Sequence, residues 1–250
     1  MKVRQSSYSP VATLEPVKAT ARFSPGRALR AIGLATLVLL IGPAVPALPP
    51  AVFSAPAEAA TVYQAPLWAA IDGLVVAEEV NSGYDRERYF GSWTDDDGDC
   101  QNTRQEVLAM ETVAALSYSQ GGCEVTGGQW FTFWEHRLHA SPSTLQIDHT
   151  VPVHEAWGSG ARYWSQERRV AYLNDVGDPR SLNAQTTELN IEKNGKSPQY
   201  WMPPMNGCAY IEQWVAVKIR WGLTVNSGEK ATLLHYAYSC PAVLVIVIRV

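Results

Sequence analysis

Asp148 and His149 stand side by side at the end of an apolar segment, shortly before Val151 and Pro152. This pattern predicts a short strand that ends by presenting a carboxylate and an imidazole. A carboxylate can hold a hard divalent cation, and a neutral imidazole can take a proton from water near neutral pH. The pair is therefore suited to the hydrolysis of a phosphodiester bond.

Asn190 and Lys193 lie three residues apart in a segment, 186–194, that is expected to be helical, so they share one side of that helix. Asn190 can supply a second oxygen ligand to a cation, and Lys193 a positive charge. A second predicted strand, 182–185, precedes this helix. The competing interpretation makes His149 a core histidine bonded to a backbone carbonyl and Asp148 a carboxylate that caps a turn.

The first sixty residues have the layout of an export signal. Arg22, Arg27 and Arg30 precede an apolar run over 31–41, and small residues follow up to Ala60. A charged segment, an apolar segment and a small-residue cleavage site define a secretory signal peptide. We therefore expect residues 1–60 to be a signal peptide and pro-region, residues 61–250 to be the mature domain, and the protein to be secreted. An uncleaved N-terminal anchor is the alternative.

Cysteine usage agrees with export. The chain has four cysteines, Cys100, Cys123, Cys208 and Cys240, all in the mature part. An even number of cysteines in an exported chain favours disulfides. The pairing Cys100–Cys123 and Cys208–Cys240 is preferred because each bridge closes a local loop. A zinc site is less favoured, since the spacings are wide and no Cys-x-x-Cys is present.

Charge is distributed unevenly along the mature chain. Residues 61–145 carry four Lys or Arg against thirteen Asp or Glu, a net charge of −9, whereas residues 146–250 carry ten against nine, a net charge of +1. Binding of nucleic acid by charge alone requires a more basic protein. A phosphate-facing surface is therefore expected in the C-terminal half, with a metal ion adding positive potential. Its candidate residues are Arg162, Arg168, Arg169, Arg180, Lys193, Lys196, Lys218 and Arg220.

Several motifs occur in the same order as in one known family. They are Tyr84-Asp85-Arg86, Trp93-x-Asp95-Asp96-Asp97-Gly98-Asp99-Cys100, Thr103-Arg104-Gln105-Glu106-Val107-Leu108, Gly128-x-Trp130, Ile147-Asp148-His149-x-Val151-Pro152, Glu155-Ala156-Trp157, Asn174-Asp175, Asn190-x-x-Lys193, Pro198-x-x-Trp201 and Trp214-x-x-Val217-Lys218. The series resembles the secreted bacterial HNH endonucleases related to the C-terminal nuclease of GmrSD-type restriction enzymes. It covers nearly the whole mature chain.

The resemblance implies roles for individual residues. His149 would be the general base, Asp148 and Asn190 the metal ligands, and Lys193 a basic neighbour of the scissile phosphate. Ser181 falls at the position of the middle Asn of the HNH motif, which often orients the base, and is included in the catalytic set. Gln146 replaces an acidic residue that is often found two positions before the metal-binding Asp.

The expected fold is α+β, with a ββα-metal (HNH or His-Me finger) core embedded in a mainly helical single domain. The expected function is a secreted, metal-dependent endonuclease using Mg²⁺ or another divalent cation, with DNA favoured over RNA as its substrate. We also expect no stable membrane association after signal cleavage, and a monomer. Substrate contacts are assigned to Arg104, Arg162 and Lys196, although Arg104 could instead pair with the acidic turn before it.

An acidic turn supports a different hypothesis. Asp95, Asp97, Asp99 and Glu106 occupy positions 1, 3, 5 and 12 of an EF-hand-like spacing, with Cys100 where that loop has glycine. A structural Ca²⁺ is therefore one interpretation of this turn, and a solvated acidic turn is the alternative. Two further functions stay open: a non-catalytic exported module that binds nucleic acid or cell wall, and a calcium-organised structural domain.

Overall fold

The computed structural model describes residues 61–250. These residues lie within one compact unit of mixed α and β structure, with four two-stranded sheets. The predicted signal peptide and pro-region, residues 1–60, lie outside the described residues. Within the described part of the chain, no helix is both long and apolar enough to span a membrane.

Helices and strands are each numbered from the N-terminus. The helices are α1 (Leu67–Asp72), α2 (Arg86–Tyr89), α3 (Thr103–Glu111), α4 (Val153–Gly158), α5 (Gln166–Leu173), α6 (Thr187–Lys193), α7 (Gly207–Trp221) and α8 (Ser227–Ser239). The strands are β1 (Val62–Pro66), β2 (Ser117–Tyr118), β3 (Val125–Gly127), β4 (Trp130–Thr132), β5 (Arg137–His139), β6 (Leu145–His149), β7 (Leu182–Thr186) and β8 (Leu244–Ile248).

The pair β6 and β7 with helix α6 forms the centre of the candidate active site. The two strands are antiparallel, with Leu145 opposite Thr186 and His149 opposite Leu182. Helix α6 begins directly after β7 because Thr186 caps it, its hydroxyl accepting a hydrogen bond from the Leu189 amide at 3.2 Å. Helices α4 and α5 lie in the long connection between the two strands. The predicted strand–strand–helix order is therefore present.

Two apolar clusters support this unit. The larger surrounds α7, in which ten of fifteen residues are buried, as expected for a helix that is apolar on most sides. The smaller packs α3 against the sheet of β6 and β7, with Val107, Leu108, Trp130 and Ile147 among its members. The alternation of side chains along β6 explains this arrangement, since Leu145 and Ile147 point to the same face.

One local prediction holds only in part and another is wrong. Apolar residues at helical spacing predict a helix over 64–80, but α1 occupies only Leu67–Asp72 of this range, and residues 62–66 form β1, which pairs with β8. The sequence 124–133 resembles a hairpin, but β3 pairs with β2 and β4 pairs with β5. In the first case the partner strand β8 lies near the other end of the domain, and in the second each predicted strand pairs with a different neighbour in the chain. The apolar segment 242–250 does form a strand, β8, although its outward residues Leu244, Ile246 and Ile248 are about half exposed.

The expected disulfides are present. Cys100 is bonded to Cys123 and Cys208 to Cys240, with Cα–Cα distances of 5.1 and 5.5 Å. The first bridge joins the acidic turn before α3 to the loop just before β3. The second links the first turn of α7 to the end of α8, so it crosslinks the helices of the larger core.

Removing either bridge should destabilise the protein. The closed loops span 23 and 32 residues, and loop closure predicts about 3–4 kcal/mol for each. We expect Cys208→Ala/Cys240→Ala to lower the midpoint of urea unfolding by an amount equivalent to this energy. Dithiothreitol should lower the melting temperature of the native protein but leave that of a variant without any cysteine unchanged. A reductant-insensitive melting temperature in the native protein would contradict the bridges.

Candidate active site

His149 ends β6 and is held on both faces by aromatic rings. Its ring is stacked on Trp93 at a centroid distance of 5.4 Å and on Tyr172 at 5.8 Å. Its Nε2 lies 2.9 Å from the Leu173 carbonyl oxygen. A carbonyl can only accept a hydrogen bond, so Nε2 carries the hydrogen and Nδ1 carries the lone pair when the imidazole is neutral.

The electrostatic environment keeps this imidazole neutral. Burial lowers the pKa of His149 to about 3, and the positive charge of Arg86 acts in the same direction. The hydrogen bond to Leu173 opposes this shift but does not reverse it. His149 therefore offers an unprotonated nitrogen at neutral pH.

Asp148 of β6 forms an ion pair with Lys193 of α6. The Lys193 ammonium donates to Asp148 Oδ2, and it donates a second hydrogen bond to the His149 carbonyl at 2.6 Å. Lys193 is only 1% exposed. Burial raises the pKa of Asp148 and lowers the pKa of Lys193, and the charge of each partner opposes the shift of the other. Lys193 thus fixes the last two residues of β6 through these two hydrogen bonds.

Asn190 lies one turn before Lys193 on α6. Its side-chain nitrogen donates to Gln146 Oε1 at 2.5 Å. This bond fixes the amide and leaves the oxygen of Asn190 available as an acceptor. Gln146, the residue that replaces an acidic group in the resemblance, therefore orients Asn190.

Asp148, His149 and Asn190 line one cavity of about 690 Å³. It lies between the ends of β6 and α6, the start of α4 and the start of α2. Its ionisable and amide residues include Arg86, Asp148, His149, His154, Asn190 and Lys196. The structure therefore brings together the predicted base, both predicted metal ligands and one predicted substrate contact, Lys196.

The other predicted site residues lie elsewhere. Ser181 is buried and its hydroxyl donates to Asp175 Oδ2 at 2.7 Å, so it supports the loop before β7 and is not bonded to His149. Arg104 donates to the carbonyls of Pro142 and Leu145 at 3.1 and 3.0 Å and braces the start of β6. Neither residue borders the cavity.

The predicted basic surface of the C-terminal half is mostly engaged in internal contacts. Arg162 donates to the Val80 carbonyl at 3.1 Å. Lys193 and Lys218 are fully buried, and Arg180 and Arg220 pair with Asp178 and Asp175, each pair at 2.7 Å. Of the eight candidate residues, Lys196 is the one that borders the cavity. Lys193 contacts the site through its buried ammonium, which is bonded to Asp148 and to the His149 carbonyl.

Sequence reasoning missed Arg86 and His154 as site residues. Arg86 begins α2, is exposed, and has no hydrogen-bond or ion-pair partner for its guanidinium within residues 61–250. The ring of His154 lies edge-on to Tyr84 at 4.9 Å. The motif Tyr84-Asp85-Arg86 was the available signal for Arg86, since it forms part of the ordered series. The sequence separation of Arg86 and Asp148 does not indicate that both residues line the same cavity.

The acidic turn is a separate feature. The carboxylates of Asp95, Asp97 and Asp99 are exposed and lie within 4.8 Å of one another. Cys100 adopts the left-handed conformation, with φ of 75°, which the glycine of an EF-hand loop supplies at this position. Burial and these aspartates raise the pKa of Glu106. The Ca²⁺ stays a prediction.

Residues 61–250 therefore define a small disulfide-bonded domain of mixed α and β structure, with a polar cavity at the end of a two-stranded sheet. No protein-family model matches the chain, and no solved structure matches it. The chain is 34% identical over 173 residues to an uncharacterized secreted protein of the fungus Arthroderma benhamiae, and the alignment covers 68% of this chain and 82% of that protein. The chain belongs to the family of this secreted protein.

This relationship corrects one prediction and confirms another. The assignment to a bacterial HNH endonuclease family is wrong, because the relative is fungal and no family model matches. The prediction of export is confirmed, because the relative is a secreted protein, and the disulfides are consistent with it. The protein is secreted.

Proposed function

We propose that the protein is a metal-dependent endonuclease that hydrolyses phosphodiester bonds of nucleic acid, with DNA favoured over RNA. One observation carries this proposal. His149 has its Nε2–H committed to a backbone carbonyl, and it borders a cavity shared with two oxygen-donor side chains and an unpaired guanidinium. That combination suits activation of water beside a phosphate.

The bond from His149 to Leu173 is also what a purely structural core histidine would make. The cavity favours the catalytic interpretation, because His149 borders it together with the polar side chains of Asp148, Asn190 and Arg86. A structural core histidine would not require such polar neighbours. The stacked rings of Trp93 and Tyr172 hold the imidazole in one orientation. A preoriented neutral imidazole can accept the proton of an attacking water at Nδ1.

The donor set fits a hard divalent cation such as Mg²⁺. Asp148 accepts the Lys193 hydrogen bond through Oδ2, so Oδ1 is the proposed ligand atom, and Asn190 has its oxygen available because its nitrogen is bonded to Gln146. Mg²⁺ typically takes one or two protein oxygens and completes its shell with water and substrate phosphate. When bound, the cation would offset the negative charge that develops on the phosphate during hydrolysis.

Arg86 and Lys196 are proposed as phosphate contacts. Both are exposed and both border the cavity. An arginine fork can bind two phosphate oxygens, whereas a lysine acts as a point charge. Arg86 takes over the substrate-binding role that the sequence assigned to Arg104 and Arg162.

Lys193 is proposed to position the catalytic groups and not to touch the phosphate. Its ammonium holds both the Asp148 carboxylate and the His149 carbonyl, and it is almost inaccessible. On this proposal β6, β7 and α6 form a ββα-metal core. Because Lys193 compensates the charge of Asp148, cation affinity should depend strongly on the substrate phosphates.

Cleavage should depend on a divalent cation supplied with the substrate. We expect the purified protein to nick and linearise supercoiled plasmid in millimolar Mg²⁺ and to lose this activity in excess EDTA, because a metal held through Asp148 and Asn190 with water and substrate is readily removed by a chelator. Gel electrophoresis over a time course measures the effect. Persistent cleavage in EDTA would rule out the metal mechanism, and absence of cleavage of DNA and RNA with every divalent cation tried would rule out the function.

Variants of Asn190 separate metal binding from folding. Asn190→Ala removes the oxygen donor, so its cleavage should be weaker and partly restored by higher Mg²⁺. Asn190→Asp keeps an oxygen at the same place and should retain more activity at low Mg²⁺. Equal activities for the two variants would show that this side chain does not ligate the metal.

A further inference from the structure

A second cavity, of about 300 Å³, borders β7. It is bounded by the end of α3, by β4 and the residue after it, by β7 and by α7. Its lining residues are Glu111, Phe131, Phe133, Asn183, Ala184 and Gln213. The proposed endonuclease function uses none of them.

The two cavities are linked through the ladder of β6 and β7. Asp148 borders the first cavity, and its cross-strand neighbour Asn183 borders the second. The next pair, Ile147 and Ala184, is divided in the same way. Directly opposite residues of an antiparallel pair have Cβ atoms only about 4.5–5.5 Å apart. Residues that line the two cavities are therefore direct neighbours across the β6–β7 pair.

The polar groups of the second cavity are available to a ligand. Gln213 Oε1 is buried and has no hydrogen-bond partner within residues 61–250, a state that native proteins rarely leave uncompensated. Glu111 accepts a hydrogen bond from the Ala184 amide through one oxygen, at 2.8 Å. Burial raises the pKa of Glu111 to about 7, so near neutral pH its carboxyl group can act as a donor or as an acceptor.

Two aromatic side chains form the exposed wall of this cavity. Phe131 and Phe133 alternate along the chain and are 45% and 43% exposed. The turn beside them is fixed, because Asn206 donates to the Phe133 carbonyl at 2.7 Å and contacts His136 Nε2 at 2.9 Å. His136 has φ of 53°, a left-handed conformation that non-glycine residues seldom adopt. The turn that follows Phe133 is therefore held by hydrogen bonds to Asn206.

We propose that the second cavity binds an unpaired nucleobase of the nucleic-acid strand whose phosphodiester bond lies at His149. The base would stack on Phe131 or Phe133 and would form hydrogen bonds with Gln213 and Glu111. Aromatic platforms beside amide and carboxyl groups recognise bases in single-stranded nucleic acid. The inference rests on the proposed function, and it narrows the substrate to strands with unstacked bases.

Binding of single-stranded DNA by aromatic variants tests this inference. The probe is a fluorescein-labelled ten-nucleotide single strand, measured by fluorescence anisotropy in EDTA so that it is not cleaved. Stacking on an aromatic side chain is typically lost on substitution by alanine at a cost of about 5- to 150-fold in affinity. We expect this loss for Phe131→Ala or Phe133→Ala. Leu138→Ala is the matched control, because Leu138 is exposed and lies opposite Phe131 on β5 but does not line the cavity.

An abasic version of the same probe supplies the second readout. It should bind the native protein more weakly than the intact strand, and Phe131→Ala and Phe133→Ala should reduce this difference. Affinities unchanged by both phenylalanine variants, an equal loss in Leu138→Ala, or equal binding of abasic and intact strands would each overturn the inference. Binding of a short neutral oligosaccharide that the phenylalanine variants weaken, without any preference for the intact strand, would also overturn it.

Cleavage assays distinguish this inference from the proposed function. Plasmid or single-strand cleavage in Mg²⁺ combined with base-independent affinity would leave the function standing and remove the base site. Base-dependent affinity without cleavage would leave the base site standing and remove the proposed endonuclease function. If both hold, Phe131→Ala or Phe133→Ala should raise KM for single strands and leave kcat nearly unchanged, since neither ring lies beside His149.

Discussion

Replacing His149 should abolish most cleavage while the protein remains folded. A general base typically contributes about 10²–10⁴-fold to the rate, and we expect a loss in this range in kcat for His149→Gln. Glutamine can still donate from its amide nitrogen to the Leu173 carbonyl, but it has no basic nitrogen at the position of Nδ1. The loss can therefore be assigned to proton transfer. Initial rates of plasmid cleavage in saturating Mg²⁺ measure it.

Two controls make this result interpretable. His149→Gln should melt within a few degrees of the native protein, which circular dichroism checks, because the hydrogen bond to Leu173 is kept. His235→Ala changes an exposed histidine on α8, far along the chain from the site, and should cleave at the native rate. Native-like cleavage by His149→Gln would show that His149 is a structural core histidine, bonded to a backbone carbonyl, and not the general base.

The centre of the site could be predicted because its signals are local. The apolar alternation before Asp148 predicts β6, and Thr186 with the following polar and apolar residues predicts the start of α6. Asn102 followed three residues later by Gln105 is typical of a helix N-terminus, and Asn102 does cap α3, its side chain accepting a hydrogen bond from the Gln105 amide at 3.3 Å. The disulfide pairing followed from loop closure within each half of the domain.

The remainder depends on contacts between distant parts of the chain. Arg86 and Asp148 are brought to one cavity by packing that no spacing reveals. Residues 62–66 become a strand only because β8, near the other end of the domain, pairs with them. The same limitation explains the basic surface. Counting Lys and Arg gives the charge of a segment, but it does not show which cations are buried against carboxylates.

Lys218 is the clearest example of a cation used for structure. It is fully buried in α7. Its ammonium donates to Glu155 Oε1 at 2.7 Å, to Ser159 Oγ at 2.8 Å and to the Thr224 carbonyl at 2.9 Å, and lies 3.2 Å from Glu229 Oε1. Glu155 belongs to α4, which borders the candidate active site. One lysine thus joins α4, α7 and α8.

Removing this lysine should be one of the most destabilising single substitutions in the protein. Lys218→Met leaves two carboxyl groups buried without a cation, for which we expect a loss of about 3–5 kcal/mol in the free energy of unfolding. The exposed Lys196→Met should change stability by no more than about 0.5 kcal/mol. Urea unfolding monitored by tryptophan fluorescence measures both variants.

The pH dependence and a compensating variant identify the cause of that loss. Burial raises the pKa of Glu229 from 4.5 to about 7 in the folded protein, despite Lys218. A carboxyl group with a raised folded-state pKa contributes stability below its unfolded pKa and loses that contribution as pH rises through the folded value. Lys218→Met should therefore be less destabilised at pH 5 than at pH 8, and adding Glu155→Gln and Glu229→Gln should recover much of the stability. An equal loss at both pH values, unchanged in the triple variant, would assign it to packing of the lysine chain and not to the two unpaired carboxylates.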